Sequence, residues 1–129
     1  MIVDSSAAVA ILLQEEDADM LFATLAARRA RYMGAPTYLE TSMVVTGRRP
    51  NQAAERVDRF IRETEIILLP FTAAAARVAV EAFLRYGKGR HKAGLNFGDC
   101  ISYAVAKTEM MPLLFKGDDF RLTDIEAAL

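Results

Sequence analysis

The chain opens with Met1-Ile2-Val3-Asp4-Ser5-Ser6-Ala7, where a short β-branched run is closed by an acid. Apolar side chains then recur with helical spacing at Ala8, Ile11 and Leu12. This opening predicts a strand over residues 1–3 that leads through Asp4 into a helix beginning at Ser5. A strand that passes directly into a helix is typical of α/β folds, so the same alternation is expected further along the chain.

The rest of the sequence repeats the alternation of strand and helix. Strands are predicted at residues 31–35, 66–69 and 113–115, and helices at residues 17–29, 37–48, 52–63, 73–86 and 96–109. The consecutive aliphatic residues 66–69 are typical of a strand that is buried on both faces. The pattern predicts an α/β fold with a mostly parallel, twisted sheet of four to five short strands flanked by helices.

Length and composition exclude several classes of protein. The 129 residues fit one domain, which we expect to span residues 1–129. The single Cys100 excludes a disulfide framework, and the single His91 excludes a ribonuclease that uses a pair of histidines. A net charge of -1 excludes a protein that coats duplex DNA. Because the sequence has neither a targeting segment nor an apolar run of about 18 residues, we expect a cytoplasmic protein without membrane contact.

Carboxylates lie near the points where predicted strands end or helices begin. Asp4 follows the first strand, Glu40 lies in the helix after the second strand, and Asp99 lies in the first turn of the 96–109 helix. The functional crevice of an open parallel sheet lies beyond the carboxyl ends of its strands, so these acids are candidates for one site. Mg²⁺ and Mn²⁺ prefer oxygen ligands, and a cation would offset the repulsion between converging carboxylates.

Each acid also has a purely structural interpretation. Asp4 suits a helix N-cap, and Thr37-Tyr38-Leu39-Glu40 fits a capping box. Asp99 lies in a first helical turn, where the helix dipole favours an acid. Asp118 and Asp119 lie in a turn after the last strand, where Asp is common. For each acid taken alone the structural interpretation is sufficient, and only their occurrence together favours a metal centre.

Four segments resemble the PIN-domain ribonucleases, and most closely the VapC toxins of bacterial toxin–antitoxin pairs. They are Met1-Ile2-Val3-Asp4-Ser5-Ser6-Ala7, Tyr38-Leu39-Glu40-Thr41-Ser42, Asn96-Phe97-Gly98-Asp99-Cys100 and Pro112-Leu113-Leu114-Phe115-Lys116-Gly117-Asp118-Asp119-Phe120. The resemblance covers essentially the whole chain. It implies a PIN-like fold and an endoribonuclease in which Asp4, Glu40 and Asp99 hold Mg²⁺ or Mn²⁺.

The resemblance implies further site residues. Ser6 matches the small hydroxyl residue that usually accompanies the first Asp and supports it by hydrogen bonding. The chain departs from the commonest pattern at the fourth acid, because Gly117 occupies the usual acidic position. Asp118 is therefore predicted as the fourth catalytic acid, with Asp119 as the adjacent alternative. The other alternative is a metal held by the first three acids and water.

The resemblance also implies partners. They are an RNA substrate, a second copy of the chain in a homodimer, and a cognate VapB-type antitoxin that blocks the acidic pocket. The alternative from another class is a non-catalytic PIN-like domain that binds protein or RNA. Retention of the three core acids argues against that alternative, since such a cluster is costly without a cation.

A basic stretch precedes the 96–109 helix. No acid occurs between Glu81 and Asp99, and the residues predicted to bind RNA phosphates there are Arg85, Lys88, Arg90 and Lys92. The alternative interpretation is a solvated surface loop. Tyr86 and Phe97 flank the stretch and are candidates either for stacking on bases or for the core.

Overall fold

Strands and helices alternate along the whole chain in the computed structural model, which describes residues 1–51 and 53–129. The elements are β1 (Ile2–Val3), α1 (Ser5–Leu12), α2 (Ala18–Ala26), β2 (Tyr32–Gly34), α3 (Ala35–Arg48), α4 (Ala53–Glu63), β3 (Ile67–Leu69), α5 (Ala73–Tyr86), α6 (Phe97–Thr108), β4 (Leu113–Leu114) and a final 3₁₀ turn (Asp119–Leu122). Within the described ranges, no helix is both long and apolar enough to span a bilayer.

The four strands form one parallel sheet in the order β3-β2-β1-β4. β1 lies in the interior, with Ile2 in register with Tyr32 of β2 on one side and Leu113 of β4 on the other. The predicted α/β class and the parallel sheet are confirmed. Because the strands are parallel, the segments that follow β1, β2 and β4 emerge at the same edge of the sheet.

Helices cover both faces of the sheet, and successive side chains of each strand point to opposite faces. Val3 and Leu114 pack into a core formed mainly by α1, α2, α3 and α4. Their neighbours Ile2 and Leu113 pack into a second core formed mainly by α5 and α6. Burial of both faces explains why these short strands are almost entirely apolar.

One burial prediction is wrong. Residues 66–69 were predicted to form a strand buried on both faces, but β3 is an edge strand of the sheet and Ile67 is 57% exposed. Within this run Ile66, just before the strand, is buried. The position of a strand in a sheet depends on long-range order, which a short apolar run does not encode.

The helix boundaries differ from prediction at two places, and the second of them matters for the site. α2 ends at Ala26, short of the predicted residue 29. α3 begins at Ala35, with Gly34 as its N-cap and Pro36 in its first turn. Thr37 is therefore inside the helix, and the capping-box interpretation of Glu40 is wrong. Gln52, with which the next helix was predicted to begin, lies outside the described residues.

Candidate active site

Asp4 is held at the exit of β1 by contacts on both its backbone and its side chain. Its N–H donates to the carbonyl of Leu114 at 2.9 Å, which ties the ends of β1 and β4 together. Its Oδ2 accepts from the backbone N–H of Ser6 at 3.0 Å and from Ser6 Oγ at 2.5 Å. Asp4 is thus the N-cap of α1, as its structural interpretation predicted.

The second carboxylate oxygen of Asp4 has a different environment. Oδ1 is buried and has no hydrogen-bond partner among the described residues, and Asp4 as a whole is only 2% exposed. A buried charged oxygen without a partner is unfavourable. The capping role therefore accounts for one oxygen of Asp4 and leaves the other available to a cation.

Glu40 reaches the site from the second turn of α3. Its Oε1 accepts a short hydrogen bond from Ser5 Oγ in the first turn of α1. Its carboxylate lies against the backbone of Gly98 at the start of α6, so closely that a β-carbon at that position would overlap Oε2. Glu40 therefore contacts the helices that carry the other two predicted acids.

Asp99 lies in the first turn of α6 and forms a capping box with Asn96. Its Oδ2 accepts from the N–H of Asn96 at 2.9 Å, and its own N–H donates to Asn96 Oδ1 at 2.9 Å. Burial raises the pKa of Asp99 to about 6; the Asn96 hydrogen bond opposes this rise, and the charges of Asp4, Asp119 and Glu40 add to it. The structural interpretation of Asp99 is correct, and it coexists with a position beside other acids.

The two candidates for a fourth acid differ in their surroundings. The side chain of Asp118 is 92% exposed and pairs with Arg121 at 3.5 Å. Asp119, which begins the final 3₁₀ turn, is also exposed, but its charge is among those that raise the pKa of Asp99. Gly117, directly before them, has a φ of +95°, the left-handed region that favours glycine. Asp119 is thus the acid of this pair that acts on Asp99.

The chemistry of these side chains fits a hard divalent cation, although they are not gathered around a common point. Among residues 1–51 and 53–129, no three His, Cys, Asp or Glu side chains lie close enough together to hold a metal ion. Asp99 and Glu40 are instead turned toward hydrogen-bond donors of their own. The buried free oxygen of Asp4 and the raised pKa of Asp99 are the features that a cation would relieve.

Three of the predicted RNA-binding residues, Lys88, Arg90 and Lys92, lie on the α5–α6 connection, which leads into the first turn of α6. Arg85 lies in the last turn of α5. Lys88 and Lys92 are exposed on the connection. Arg85 pairs instead with Asp124 at 3.6 Å, and Arg90 Nε donates to the carbonyl of Leu84 at 3.0 Å. The two lysines are therefore the more available pair for a phosphate backbone.

The two aromatic candidates for stacking on bases differ in their burial. Tyr86 is a core residue that packs against His91 and Tyr103. Phe97, two residues before Asp99, is 84% exposed. The stacking interpretation therefore applies only to Phe97.

Sequence reasoning gave no role to three residues that support the acids. Ser5 donates to Glu40, Gly98 provides the space for the Glu40 carboxylate, and the N–H of Lys116 donates to Ser6 Oγ at 3.0 Å. Gly98 carried a usable signal, because glycine is unfavourable in a helix unless a packing requirement selects it. Ser5 and Lys116 carried none, since their contacts join segments that are distant in sequence.

Comparison with known proteins gives one consistent family. The PIN domain matches residues 1–126. A ribonuclease VapC of Mycolicibacterium smegmatis is 46% identical over 127 residues, which cover 98% of each chain. The ribonuclease VapC30 of Mycobacterium tuberculosis is 43% identical over 125 residues, which cover 97% of this chain and 95% of the relative.

Solved structures show the same fold at much lower identity. The VapC20 toxin of Mycobacterium tuberculosis superposes with a TM-score of 0.79 at 19% identity, covering 96% of this chain and 95% of that one. The VapBC2 structure from Rickettsia felis, bound to a promoter DNA fragment, gives a TM-score of 0.73 at 14% identity, covering 98% and 95%.

Proposed function

The chain belongs to the PIN-domain family, among its VapC ribonucleases, and on that basis we propose a metal-dependent endoribonuclease centred on Asp4, Glu40 and Asp99. It hydrolyses RNA phosphodiester bonds as the toxin of a toxin–antitoxin pair. The observation that carries the metal-dependent part is the buried, unpartnered Oδ1 of Asp4, close enough to Asp99 for their charges to interact. A carboxylate in that state is suited to a cation rather than to a purely structural role.

Mg²⁺ or Mn²⁺ bound there supplies a lowered pKa for a bound water and stabilisation of the charge that develops on the phosphate. Asp4 offers Oδ1 to the cation while Ser6 holds its Oδ2. Asp99 contributes a carboxylate that ionises fully once a positive charge is near. Glu40 contributes the third carboxylate, and Ser5 fixes its orientation.

Asp119 is the better-supported fourth acid of the site. Its charge acts on Asp99, whereas Asp118 pairs with Arg121 at the surface. We assign Asp119 the role of a supporting carboxylate, whose charge acts on Asp99. The catalytic role expected for Asp118 stays a prediction, which a pair of matched variants can decide.

The substrate is RNA, and its phosphates are bound next to the acidic centre by the connection that precedes α6. Lys88 and Lys92 supply most of the positive charge, with Arg85 and Arg90 in a lesser role because of their contacts within the protein. Phe97 lies exposed beside Asp99, where it is accessible to an unpaired base.

The protein partners proposed for the chain are a second copy and a VapB-type antitoxin. Large apolar side chains are exposed on α2 and α3, among them Met20, Phe22, Leu39 and Met43. Exposed apolar side chains on neighbouring helices are typical of surfaces that bind other proteins. We propose that the pair acts in the cytoplasm.

The experiment that tests this function measures cleavage of structured and unstructured RNAs by the purified protein. Reactions contain Mg²⁺, Mn²⁺ or a chelator, with Asp4→Asn as the inactive variant. Metal-dependent cleavage that leaves 3′-hydroxyl and 5′-phosphate ends, and that the variant lacks, is the expected result. Cleavage that persists in chelator would contradict the metal-dependent mechanism. Tight Mn²⁺ binding with no cleavage of any RNA would favour the non-catalytic binding module.

A further inference from the structure

Lys116 lies two residues after the end of β4, and it makes contacts in two directions. Its backbone N–H donates to Ser6 Oγ at 3.0 Å. Its Nζ lies 2.7 Å from Glu15 Oε2 and 3.6 Å from Asp17 Oδ2, both in the connection between α1 and α2. Lys116 therefore joins the acidic centre to a carboxylate pair outside it.

The backbone contact determines how Ser6 presents its hydroxyl group. A serine hydroxyl has one proton to donate and rotates freely unless its acceptor sites are occupied. Because the N–H of Lys116 donates to Ser6 Oγ, the serine proton is directed toward Asp4 Oδ2, 2.5 Å away. This hydrogen bond in turn orients the Asp4 carboxylate so that Oδ1 is the free oxygen.

The side-chain contact determines where that N–H lies. Phe115 is buried, but in the part of the chain that the structure describes the residues from Lys116 to the final 3₁₀ turn form no strand pairing, and the backbone bends at Gly117. The Lys116–Glu15 pair is only partly exposed, at 33% and 28% of the two side chains, and Glu15 also accepts from Arg48 Nη1 at 2.9 Å. A sheltered pair within a network is held more firmly than an isolated surface pair.

We propose that Lys116 is a positioning residue, which acts through Ser6 to hold Asp4 in the orientation that binds the cation. This inference rests on the proposed function, since it assigns Lys116 to the same metal centre. Lys116 contacts neither cation nor substrate. Its ion pair with Glu15 and Asp17 fixes the loop, the loop fixes Ser6, and Ser6 fixes Asp4.

The test measures Mn²⁺ binding to the RNA-free protein by titration calorimetry. Lys116→Met removes the charge at similar side-chain length, and we expect it to weaken Mn²⁺ binding by about threefold to tenfold, less than loss of a direct supporting hydrogen bond. Lys116→Arg keeps the ion pair and restores binding. A purely electrostatic effect has the opposite sign, because removing a positive charge near a cation site strengthens binding.

A double-mutant cycle tests the route through Ser6. Ser6→Ala breaks the hydrogen bond to Asp4, and we expect Lys116→Met to weaken Mn²⁺ binding no further in that background. Additive losses would overturn the route through Ser6. Thermal unfolding of each variant shows that it is folded during the titration.

Lys107→Met is the matched control. Lys107 Nζ lies 3.0 Å from Asp124 Oδ2 in an ion pair of similar exposure, outside the acidic centre. We expect this variant to bind Mn²⁺ like the wild type even if it loses stability. Equal weakening in both methionine variants, or unchanged or tighter binding in Lys116→Met, overturns the inference. No Mn²⁺ binding by the wild-type protein overturns the metal centre itself, which separates the two failures.

Discussion

Glu40 of α3 and Gly98 of α6 are in contact, and the carboxylate of the first occupies the space where the second would carry a side chain. Four residues after Gly98 on α6, Ser102 Oγ lies 3.3 Å from Thr37 Oγ1, which is three residues before Glu40 on α3. The two helices are therefore joined at two successive levels. The upper level is the acidic centre, and the lower level is a buried hydroxyl pair that supports it.

Gly98→Ala is expected to displace the Glu40 carboxylate without unfolding the protein, because Glu40 is flexible and alanine is favourable in a helix. Cleavage should fall by about 10- to 100-fold, as for loss of other groups that support a metal site. The measurement is the initial rate of RNA cleavage at saturating Mn²⁺, together with thermal unfolding.

Gly47→Ala is the control for that variant. Gly47 lies near the end of α3, and a β-carbon there would meet no other atom within 4 Å. It should stabilise the fold by about 0.5–1 kcal/mol and leave cleavage unchanged. An equal fall in activity for both glycine variants would show that the Glu40–Gly98 contact has no special role.

Asp119→Asn and Asp118→Asn form a matched pair that identifies the fourth acid. We expect Asp119→Asn to reduce cleavage by about tenfold or more, because the charge beside Asp99 is removed. Asp118→Asn should stay within about twofold of wild type, since its side chain is solvated and pairs only with a surface arginine. If Asp118→Asn reduced cleavage more than Asp119→Asn, Asp118 would be the fourth acid.

Asp99→Asn is expected to stabilise the metal-free protein at neutral pH. The folded-state pKa of Asp99 is raised to about 6, above its unfolded value of about 3.9. The stability that the protonated acid contributes is thus complete below about pH 4 and is lost as the pH rises through 6. At pH 7 with chelator the variant should be more stable by about 1–3 kcal/mol, and it can still accept from the Asn96 N–H.

Added metal should reverse the order of stability, so that the wild-type protein becomes more stable than the Asp99→Asn variant. Excess Mn²⁺ stabilises a wild-type protein that binds it, whereas the variant lacks one carboxylate ligand and gains less. Urea denaturation at pH 4 and pH 7, with chelator or Mn²⁺, measures both effects. A stability difference that does not depend on pH would show that burial and the neighbouring charges do not raise the pKa of Asp99.

Asp124→Asn is expected to weaken the attachment of the final segment to α6. Burial alone would raise the pKa of Asp124, but hydrogen bonds from Tyr103 Oη at 2.6 Å and Lys107 Nζ at 3.0 Å lower it to about 2. Because this pKa is depressed, its stabilising effect is present above about pH 4 and is lost as the pH falls toward 2.

We expect a melting temperature lower by about 3–5 °C at pH 7 for Asp124→Asn, a modest value because solvent screens the half-exposed group. The gap to wild type should narrow as the pH falls from about 5. A difference in melting temperature that does not change with pH would mean that the packing of the Asp124 side chain, and not its charge, holds the final segment. RNA cleavage at pH 7 should be unaffected, since Asp124 lies outside the acidic centre.

Most elements of this fold could be predicted from local patterns in the sequence. The strands at Ile2 and Leu113 are short apolar runs and the long helices have helical periodicity, and their observed ends lie within a few residues of prediction. The exposure of Ile67 could not be predicted, because it depends on which strand lies at the edge of the sheet. Local hydrophobicity reports that a segment is apolar and not where the fold places it.

The candidate site was predicted less completely than the fold. Asp4 and Asp99 each follow a recognisable cap pattern, so their positions could be inferred from the sequence. The contacts of Glu40 with Ser5 and Gly98 depend on the approach of α3 to α1 and α6. The choice between Asp118 and Asp119 depends on the turn at Gly117, whose backbone conformation a sequence pattern does not specify.

The hydrogen bonds from Asp4 N–H to Leu114 and from Lys116 N–H to Ser6 connect the first strand of the chain to its last. A nascent polypeptide has made Asp4, Glu40 and Asp99 well before either bond can form. The centre is completed only after residues 114–116 have left the ribosome and β4 has docked beside β1. A ribosome that synthesises this chain is therefore not exposed to the proposed active site until the sheet closes.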